Sequence, residues 1–208
     1  MNLRVVPGPL PMRKIVFHIQ MTLNNRIANA EGGFWEPFPW GEEETSWLNE
    51  QFRQADTWAL GRKAYETIVP WWDTVAAGAV PEDAPTISAA DREFAALQKS
   101  MTKVVISNTL DPGEDRVVIN GDVAAQLGSL KRQDGKDILL SCGPATLAPL
   151  ASSPGLIDEY LLPVSPAVVA AGPQLFEGLS TDLALELADA KVFSAGAVVL
   201  RYRVLPTP

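Results

Sequence analysis

The sequence has few of the residues that build metal centres and disulfide frameworks. Among its 208 residues there are one cysteine, Cys142, and one histidine, His18. A single cysteine excludes an internal disulfide and fits a reducing compartment, so we expect a cytoplasmic protein. With one histidine and one cysteine, only a carboxylate cluster could hold a metal ion, and we expect no metal site.

Long apolar runs and an excess of positive charge are lacking too. No apolar run reaches the ~18 residues that a membrane span requires, so we expect a soluble protein with no membrane partner. The net charge is −8, which argues against a nucleic-acid partner because no basic stripe could neutralise phosphates. A small anionic ligand needs only a local positive site, and this class of ligand stays open.

The length and composition are typical of one globular domain. A chain of 208 residues with 47% hydrophobic and 20% charged residues suits a single large domain, which buries roughly 70% of the surface that its unfolded chain exposes. The N-terminal sequence MNLRVVPGPLPM is too short and too rich in proline for a secretory signal. We therefore expect a flexible extension over residues 1–11 and one folded domain over residues 12–208.

The spacing of apolar residues predicts strands that alternate with helices. The predicted strands cover residues 13–22, 56–60, 103–107, 117–120 and 137–141, and the predicted helices cover residues 45–54, 62–68, 90–100, 123–132 and 145–151. Thr45 or Ser46 is the expected cap of the first helix, and loops are expected over residues 29–44 and 70–90. This alternation predicts an α/β fold with a mostly parallel sheet and helices on both faces.

The end of the chain has a different pattern. Residues 157–170, 183–194 and 197–205 are all strand-like, with no helical segment between them. We therefore predict a C-terminal antiparallel hairpin that closes the sheet and turns near residues 194–196.

Three predicted strand ends carry residues suited to ligand binding, because ligands of open parallel sheets bind beyond the carboxyl ends of the strands. At the first of them, Gly61 ends a strand, and Arg62 and Lys63 begin the next helix. In one interpretation the glycine lets a phosphate approach the positive end of that helix. In the other it makes a tight turn, and the two cations are solvated.

The other two strand ends allow similar pairs of interpretations. Ser107-Asn108-Thr109 either caps a strand end or offers polar groups to a ligand. Gly143 ends another strand, and Pro144 suits the first position of a helix, so two helix N-termini could face one pyrophosphate. The neighbouring Cys142 is explained better as a small buried thiol than as a nucleophile, because no partner histidine or asparagine is evident.

Two further features lie near the first strand and the first helix. His18 is inside the first predicted strand, where it is either a hydrogen-bonded core residue or a ligand-facing one that shares its face with Gln20. The run Glu42-Glu43-Glu44 is most simply a solvated approach to a helix, favoured there by the helix dipole.

Taken in order, these strand ends resemble the dihydrofolate-reductase superfamily. The branch that the chain resembles most is the reductase domain of the riboflavin-pathway deaminase/reductase. The segments that carry the resemblance are RKIVFHIQMTLNNRIA, ADTWALGRKAYETI, KVVISNTL, INGDVAAQLGSLK, GKDILLSCGPATLAPL, GLIDEYLLPVSPAVVAAGPQLFEG and FSAGAVVLRYR. They cover most of residues 13–203, and the resemblance implies a dihydrofolate-reductase-like fold.

The resemblance also implies a cofactor, NADPH, and a site for it. It places Gly61, Arg62 and Lys63 at the phosphates and Ser107-Asn108-Thr109 at the adenosine ribose and its 2′-phosphate. It makes a pyrophosphate cradle of Cys142, Gly143, Pro144, Ala145 and Thr146. The backbone near Gln20 would hold the nicotinamide carboxamide, and His18 would line the substrate pocket.

The substrate pocket of the resembling enzymes predicts further residues. Pro39 and Trp40 stand before the first helix at the same distance from Gly61 as a Pro-Trp pair in many dihydrofolate reductases. That register places Thr45 where those enzymes keep a pocket carboxylate, which disfavours a true antifolate-binding enzyme. If the helix is shifted by one residue, Glu44 takes that place and is a candidate proton donor or substrate anchor.

By resemblance, the expected activity is that of an NADPH-dependent reductase of the dihydrofolate reductase or riboflavin-biosynthesis (5-amino-6-(5-phosphoribosylamino)uracil reductase) type, with hydride transfer to a small heterocyclic or imine-like substrate. The resembling reductases are often homodimers, so we expect a homodimer. Three departures from the family pattern bear on the cofactor. Ala64 replaces a threonine, Asn108 replaces an arginine, and Cys142 replaces a glycine. Since the lost arginine would favour a 2′-phosphate, NADH is an open alternative. A dinucleotide-binding module or sensor without turnover is the alternative function.

Overall fold

The chain forms alternating strands and helices in a computed structural model that describes residues 12–33, 41–82 and 86–206. The elements, in chain order, are β1 (Ile15–His18), β2 (Met21–Thr22), α1 (Glu42–Phe52), β3 (Ala55–Gly61), α2 (Arg62–Ala76), α3 (Ala89–Ser100), β4 (Thr102–Ile106), β5 (Val117–Ile119), α4 (Val123–Lys131), β6 (Asp137–Ser141), α5 (Pro144–Ala151), β7 (Glu159–Ser165), β8 (Leu185–Val192) and β9 (Val198–Val204). None of the described helices combines the length and the apolar surface that a bilayer span requires.

One sheet joins these strands. Its order is β5-β4-β3-β6-β1-β7-β9-β8, and β2 also pairs with β7. Every pair from β5 to β7 is parallel, whereas β9 pairs antiparallel with both β7 and β8. The predicted α/β fold, with a mostly parallel sheet and an antiparallel C-terminal hairpin, is confirmed. The hairpin turns at Gly196, which has a positive φ of 90°.

Helices cover both faces of the sheet. Successive residues of a strand point to opposite faces, so apolar residues of one strand can contribute to both layers. Ile15 and Phe17 of β1 pack into the apolar layer under α4 and α5, whereas Val16 packs into the layer under α1, α2 and α3. Leu127 of α4 and Leu147 and Leu150 of α5 are buried in the first layer. The second layer contains most of the buried aromatic side chains, and it is the layer that borders the candidate site.

Helix α2 is longer than the sequence predicts. The predicted loop over residues 70–90 is wrong for its first part, because α2 continues to Ala76 through Pro70. Tyr65, Val69, Trp72 and Val75 recur at helical spacing and are all buried. Their burial outweighs the one hydrogen bond that Pro70 removes, and Pro70 lies on the exposed side, where water can bind the unpaired carbonyl.

Helix α1 begins earlier than predicted. Its N-cap is Gly41, and not Thr45 or Ser46, and the Glu42-Glu43-Glu44 run forms its first turn. Glu44 Oε2 accepts a hydrogen bond from the N–H of Gly41 at 3.1 Å, which satisfies the backbone N–H of the N-cap residue. Glu44 is buried, so the interpretation of this run as solvated is wrong at its third residue.

The first predicted strand is interrupted by a proline in its neighbour. β1 pairs with β7 as far as His18, opposite Leu161, and β2 resumes at Met21, opposite Val164. This register places Pro163 opposite Gln20, and a proline has no N–H to donate. The backbone at Ile19 and Gln20 therefore leaves the ladder at the point where the first strand reaches the cavity described below.

The two-layer core predicts an asymmetric response to truncation. Leu147 is fully buried under α5, so Leu147→Ala should lower the free energy of unfolding by about 2–5 kcal/mol. Leu187 is 55% exposed on β8, and Leu187→Ala is the matched control, with an expected change within about 0.5 kcal/mol. Urea unfolding followed by circular dichroism measures both. Equal losses in the two variants would contradict the assignment of Leu147 to the core.

Candidate functional site

A cavity of about 880 Å³ opens at the carboxyl ends of β1, β3 and β6. Its outer part is formed by the first turns of α2 and α5, and its inner part by side chains of α1, α2, α3 and β3. In a parallel sheet these strand ends lie at one edge, which is where such folds bind their ligands. Within the described residues, no cluster of three or more histidine, cysteine, aspartate or glutamate side chains is placed to hold a metal ion.

The first wall of the cavity is the junction of β3 and α2. A Cβ atom on Gly61 would lie 3.2 Å from the Cβ of Cys142, so the absence of a side chain lets the ends of β3 and β6 approach. Gly61 is the N-cap of α2 and offers no side chain to its first N–H groups. Arg62 and Lys63 follow, and both line the cavity.

The second wall is the junction of β6 and α5. Gly143, the N-cap of α5, also offers no side-chain cap, and Pro144 occupies the first turn. Gly143, Pro144, Ala145 and Thr146 all line the cavity. The N–H of Thr146 donates to the carbonyl of Gly143 at 3.1 Å, which leaves the N–H of Ala145 without a helical partner. Two uncapped helix N-termini therefore meet at one cavity, and both attract anions.

Cys142 lies behind this wall, with its side chain in the core. The residue is fully buried and packs among the apolar side chains under α5. Burial raises the pKa of the Cys142 thiol to about 12, so the thiol stays protonated at neutral pH. It is not a lining residue, and its contribution to the wall comes from the backbone between Ser141 and Gly143.

The loop after β4 lies beside the cavity without lining it. The hydroxyl oxygen of Ser107 accepts hydrogen bonds from the N–H groups of Thr109 and Leu110, at 3.2 and 3.0 Å. Asn108 is exposed, and Ile106 is the residue of this region that reaches the cavity. The polar residues at this strand end thus stabilise a turn, and their role toward a cofactor stays a prediction.

Arg62 connects this loop to the start of α2. Its Nη1 donates to the hydroxyl of Thr109 at 2.6 Å, and its Nε lies 3.0 Å from a carboxylate oxygen of Glu66. The guanidinium is about half exposed, so the ion pair itself adds little to stability. The pair does orient the guanidinium between two of the three strand ends that the sequence singles out.

The inner end of the cavity is aromatic. Phe52 of α1 stacks edge-on against Trp58 of β3 and Phe94 of α3, with ring centroids 5.0 and 4.7 Å apart. Trp72 of α2 lies 4.6 Å from Phe94. We refer to these four side chains as the aromatic floor. Leu48 of α1 extends the floor, and all five residues line the cavity.

His18 lies at the edge of the aromatic floor. It is 7% exposed, lines the cavity, and meets the ring of Phe52 in a T-shaped contact at 6.1 Å. Its Nε2 is buried and has no hydrogen-bond partner among the described residues. Burial, and secondarily the charge of Arg201, lowers the pKa of His18 to about 4. The imidazole is therefore neutral at pH 7.

The sequence model of the RibD C-terminal domain family matches residues 13–199. The chain belongs to the RibD C-terminal domain family. The uncharacterized protein YyaP of Bacillus subtilis (strain 168) is 28% identical over 195 residues, which is 93% of this chain and 96% of YyaP. The match to the family model confirms the resemblance to the riboflavin-pathway reductase domain.

Solved structures agree with this RibD C-terminal domain assignment at the level of the fold. A protein of Shewanella sp. PV-4 assigned to riboflavin biosynthesis superposes with a TM-score of 0.68 and 19% identity, over 93% of this chain and 99% of that one. Dihydrofolate reductase from Enterococcus faecalis, complexed with NADP(H) and RAB-propyl, superposes with a TM-score of 0.53 and 13% identity, over 92% of this chain and 96% of that one. At these identities the likeness shows a shared fold.

The remaining predicted pocket residues of this RibD-type chain lie in different places. Gln20 lines the cavity beside Ile19. Thr45 is buried outside it, with its hydroxyl 3.1 Å from the carbonyl of Gly41 and 3.2 Å from a carboxylate oxygen of Asp91. Glu44 is not a lining residue either, because its carboxylate is turned to the start of α1. Trp40 lies outside the described residues, and the roles of all four stay predictions.

The sequence analysis missed most of the inner wall of this RibD-type cavity. Leu48, Phe52, Trp72 and Phe94 are not among its site residues, and Trp72 falls in the loop predicted over residues 70–90. A helical spacing from Tyr65 to Val75 was the available signal for Trp72. No local pattern brings Phe94 to β3, because that contact depends on how three helices pack on the sheet.

The buried neutral histidine predicts a pH-dependent stability. The unfolded state has an ordinary His18 pKa near 6.5 and the folded state about 4, so the unfolded chain binds more protons between these values. The free energy of unfolding should therefore fall as the pH falls through this window, by up to about 3 kcal/mol from this group. Above pH 6.5 the group makes no difference.

The matched variant is His18→Gln, which keeps a neutral hydrogen-bonding side chain and removes the titration. Urea unfolding at about pH 7.5 and pH 4.5 should show a smaller loss for His18→Gln than for the wild type. Carboxylates that titrate in the same window are common to both proteins and cancel in the difference. Identical losses would show that His18 is not held neutral by burial.

Proposed function

We propose that this RibD C-terminal domain protein is an NAD(P)H-dependent reductase that transfers a hydride to a small heterocyclic or imine-like substrate. One observation carries the proposal: two uncapped helix N-termini and two cations face a cavity whose other end is apolar. The first half of that arrangement suits a pyrophosphate, and the second half suits a ring. Solved relatives with this fold bear the names of reductases, including the riboflavin biosynthesis reductase Rib7 of Saccharomyces cerevisiae.

The residues at the outer part of the cavity fit a dinucleotide. On one side, the phosphate oxygens would be bound by Arg62, Lys63 and the first backbone N–H groups of α2. On the other side, they would be bound by the backbone of Ala145 and Thr146 and by the Thr146 hydroxyl. Ala64 lines the same wall without the hydroxyl that a threonine would add. A bound reduced nicotinamide supplies the hydride, since the cofactor carries the chemistry in such enzymes.

The protein's own residues would position the substrate and exclude water. The aromatic floor offers apolar ring surfaces against which a planar substrate would pack, and that packing would exclude water from the reacting region. His18 contributes a neutral hydrogen-bonding atom there. The one carboxylate that lines the cavity among the described residues, Glu66, is paired with Arg62, so no proton donor is assigned.

The preference between NADPH and NADH depends on the loop after β4. By resemblance, Ser107-Asn108-Thr109 faces the adenosine ribose, and Asn108 stands where an arginine would bind the 2′-phosphate. Arg62 reaches this loop through Thr109. We propose that Arg62 supplies the missing charge and that the protein prefers NADPH.

Titration with NADPH and, separately, with NADH tests this, with the quenching of tryptophan fluorescence as the signal. Trp58 and Trp72 line the cavity, so a bound nicotinamide should change their emission. We expect tighter binding of NADPH, and Arg62→Ala should weaken it about tenfold or more, as expected for a charge-assisted hydrogen bond. The effect on NADH should be smaller.

Lys99→Ala is the control for the loss of one positive charge. Lys99 is exposed at the end of α3, pairs with Asp73, and does not line the cavity. Its removal should leave both affinities unchanged. Binding of neither dinucleotide by the folded wild type would overturn the proposal, whereas tight binding with no oxidation of NADPH across a broad screen of heterocyclic acceptors would favour a binding module without turnover.

A further inference from the structure

The inner end of the cavity has no charged side chain among its described lining residues. The cations and the carboxylate that line the cavity, Arg62, Lys63 and Glu66, all belong to the first turns of α2. The inner end is formed by the aromatic floor, Leu48 and the neutral imidazole of His18. Arg201, which lowers the pKa of His18, is bound to Glu159 and Gln51 at 2.5 and 2.6 Å and is not a lining residue.

Two polar side chains of the inner end, Trp58 and Ser141, form hydrogen bonds within the protein. The indole N–H of Trp58 donates to the hydroxyl of Ser141 at 3.0 Å, and that hydroxyl donates to the carbonyl of His18 at 2.8 Å. These two hydrogen bonds use the hydroxyl proton of Ser141 and the indole N–H of Trp58, which is the only donor of each side chain. Nε2 of His18, in contrast, is buried without a hydrogen-bond partner in the part of the chain that the structure describes.

A buried nitrogen without a hydrogen-bond partner destabilises the folded state unless a ligand or a water completes its hydrogen bond. Here it borders a cavity whose other inner surfaces are aromatic rings. Such a site favours the binding of a flat apolar molecule that places one polar atom opposite Nε2 of His18. It penalises a phosphate, because a dianion at the inner end would be buried without a described cation.

We propose that the substrate of this site is an uncharged planar heteroaromatic ring without a phosphate group, bound on the aromatic floor with one ring nitrogen or carbonyl oxygen hydrogen-bonded to Nε2 of His18. This inference rests on the proposed reductase function, because it assigns the outer part of the cavity to the dinucleotide. It differs from the phosphoribosyl substrate in the name of the Thermotoga maritima reductase that shares the fold.

The test is calorimetric titration of the whole chain, saturated with NADP⁺ so that the outer phosphate site is filled and no hydride is transferred. The probes are quinazolin-4-one, a neutral bicyclic ring with one ring N–H and one carbonyl, and the pair uridine and uridine 5′-monophosphate. We expect quinazolin-4-one to bind and the added phosphate to weaken or abolish the binding of uridine.

Two substitutions of His18 and one matched control locate the contact. His18→Phe should weaken quinazolin-4-one about tenfold, as expected for one lost hydrogen bond in an apolar site, and His18→Gln should restore most of the affinity. Tyr160→Phe is the control, because Tyr160 also has an orphaned buried oxygen but lies under the opposite face of the sheet. It should leave the affinity unchanged. Thermal unfolding shows that each variant is folded.

The outcomes separate this inference from the proposed function. If the protein binds NADP⁺ but prefers uridine 5′-monophosphate to uridine, or fails to bind quinazolin-4-one, or binds it equally well in His18→Phe, the substrate inference is wrong and the dinucleotide site stands. If NADP⁺ and NADPH do not bind at all, the reductase proposal fails. The probes are then titrated into the free protein, where the His18 dependence still decides whether the inner end takes a neutral ring.

Discussion

The pairing of β3 with β6 sets the geometry of the whole candidate site. Leu60 pairs with Ser141 in the parallel ladder, so the next residues, Gly61 and Cys142, lie side by side at the ends of their strands, where a Cβ atom on Gly61 would be 3.2 Å from the Cβ of Cys142. Each strand passes directly into a helix, and the two helices therefore begin side by side. A side chain at position 61 would crowd Cys142 and require the two strand ends to shift by a few tenths of an ångström, so glycine suits this close approach.

Local sequence patterns predict most of the fold. The elements that they assign wrongly are those in which tertiary packing outweighs a local preference. Apolar alternation predicts the central strands, and their separation by helical segments predicts the parallel sheet. The rule that proline ends a helix fails at Pro70, because the buried stripe through Val69 and Trp72 continues past it. The rule that a hydroxyl residue caps a helix fails at Thr45, since the chain already turns into α1 at Gly41.

The outer wall of the candidate site could be predicted from local sequence patterns, whereas the inner wall depends on tertiary packing. Its outer wall consists of strand ends and helix starts that are contiguous in sequence, and Gly61, Arg62 and Gly143 could be singled out from the residues alone. Its inner wall combines side chains from α1, α2, α3 and β3, and no short segment contains the information that brings Phe52 and Phe94 together. The electrostatic contrast between the two ends, charged outside and neutral inside, is a property of the packed helices and sheet.

Pro163 interrupts the pairing of β7 with the first segment of the chain. Phe17 of β1 is paired on both sides, with Leu140 of β6 and Tyr160 of β7. Opposite Pro163, Ile19 and Gln20 lie between the paired residues of β1 and those of β2. Backbone there can shift without breaking a strand pair, whereas a shift at Phe17 would break two. The sheet thus contains, at its ligand-facing edge, a short backbone segment that is not paired with a neighbouring strand.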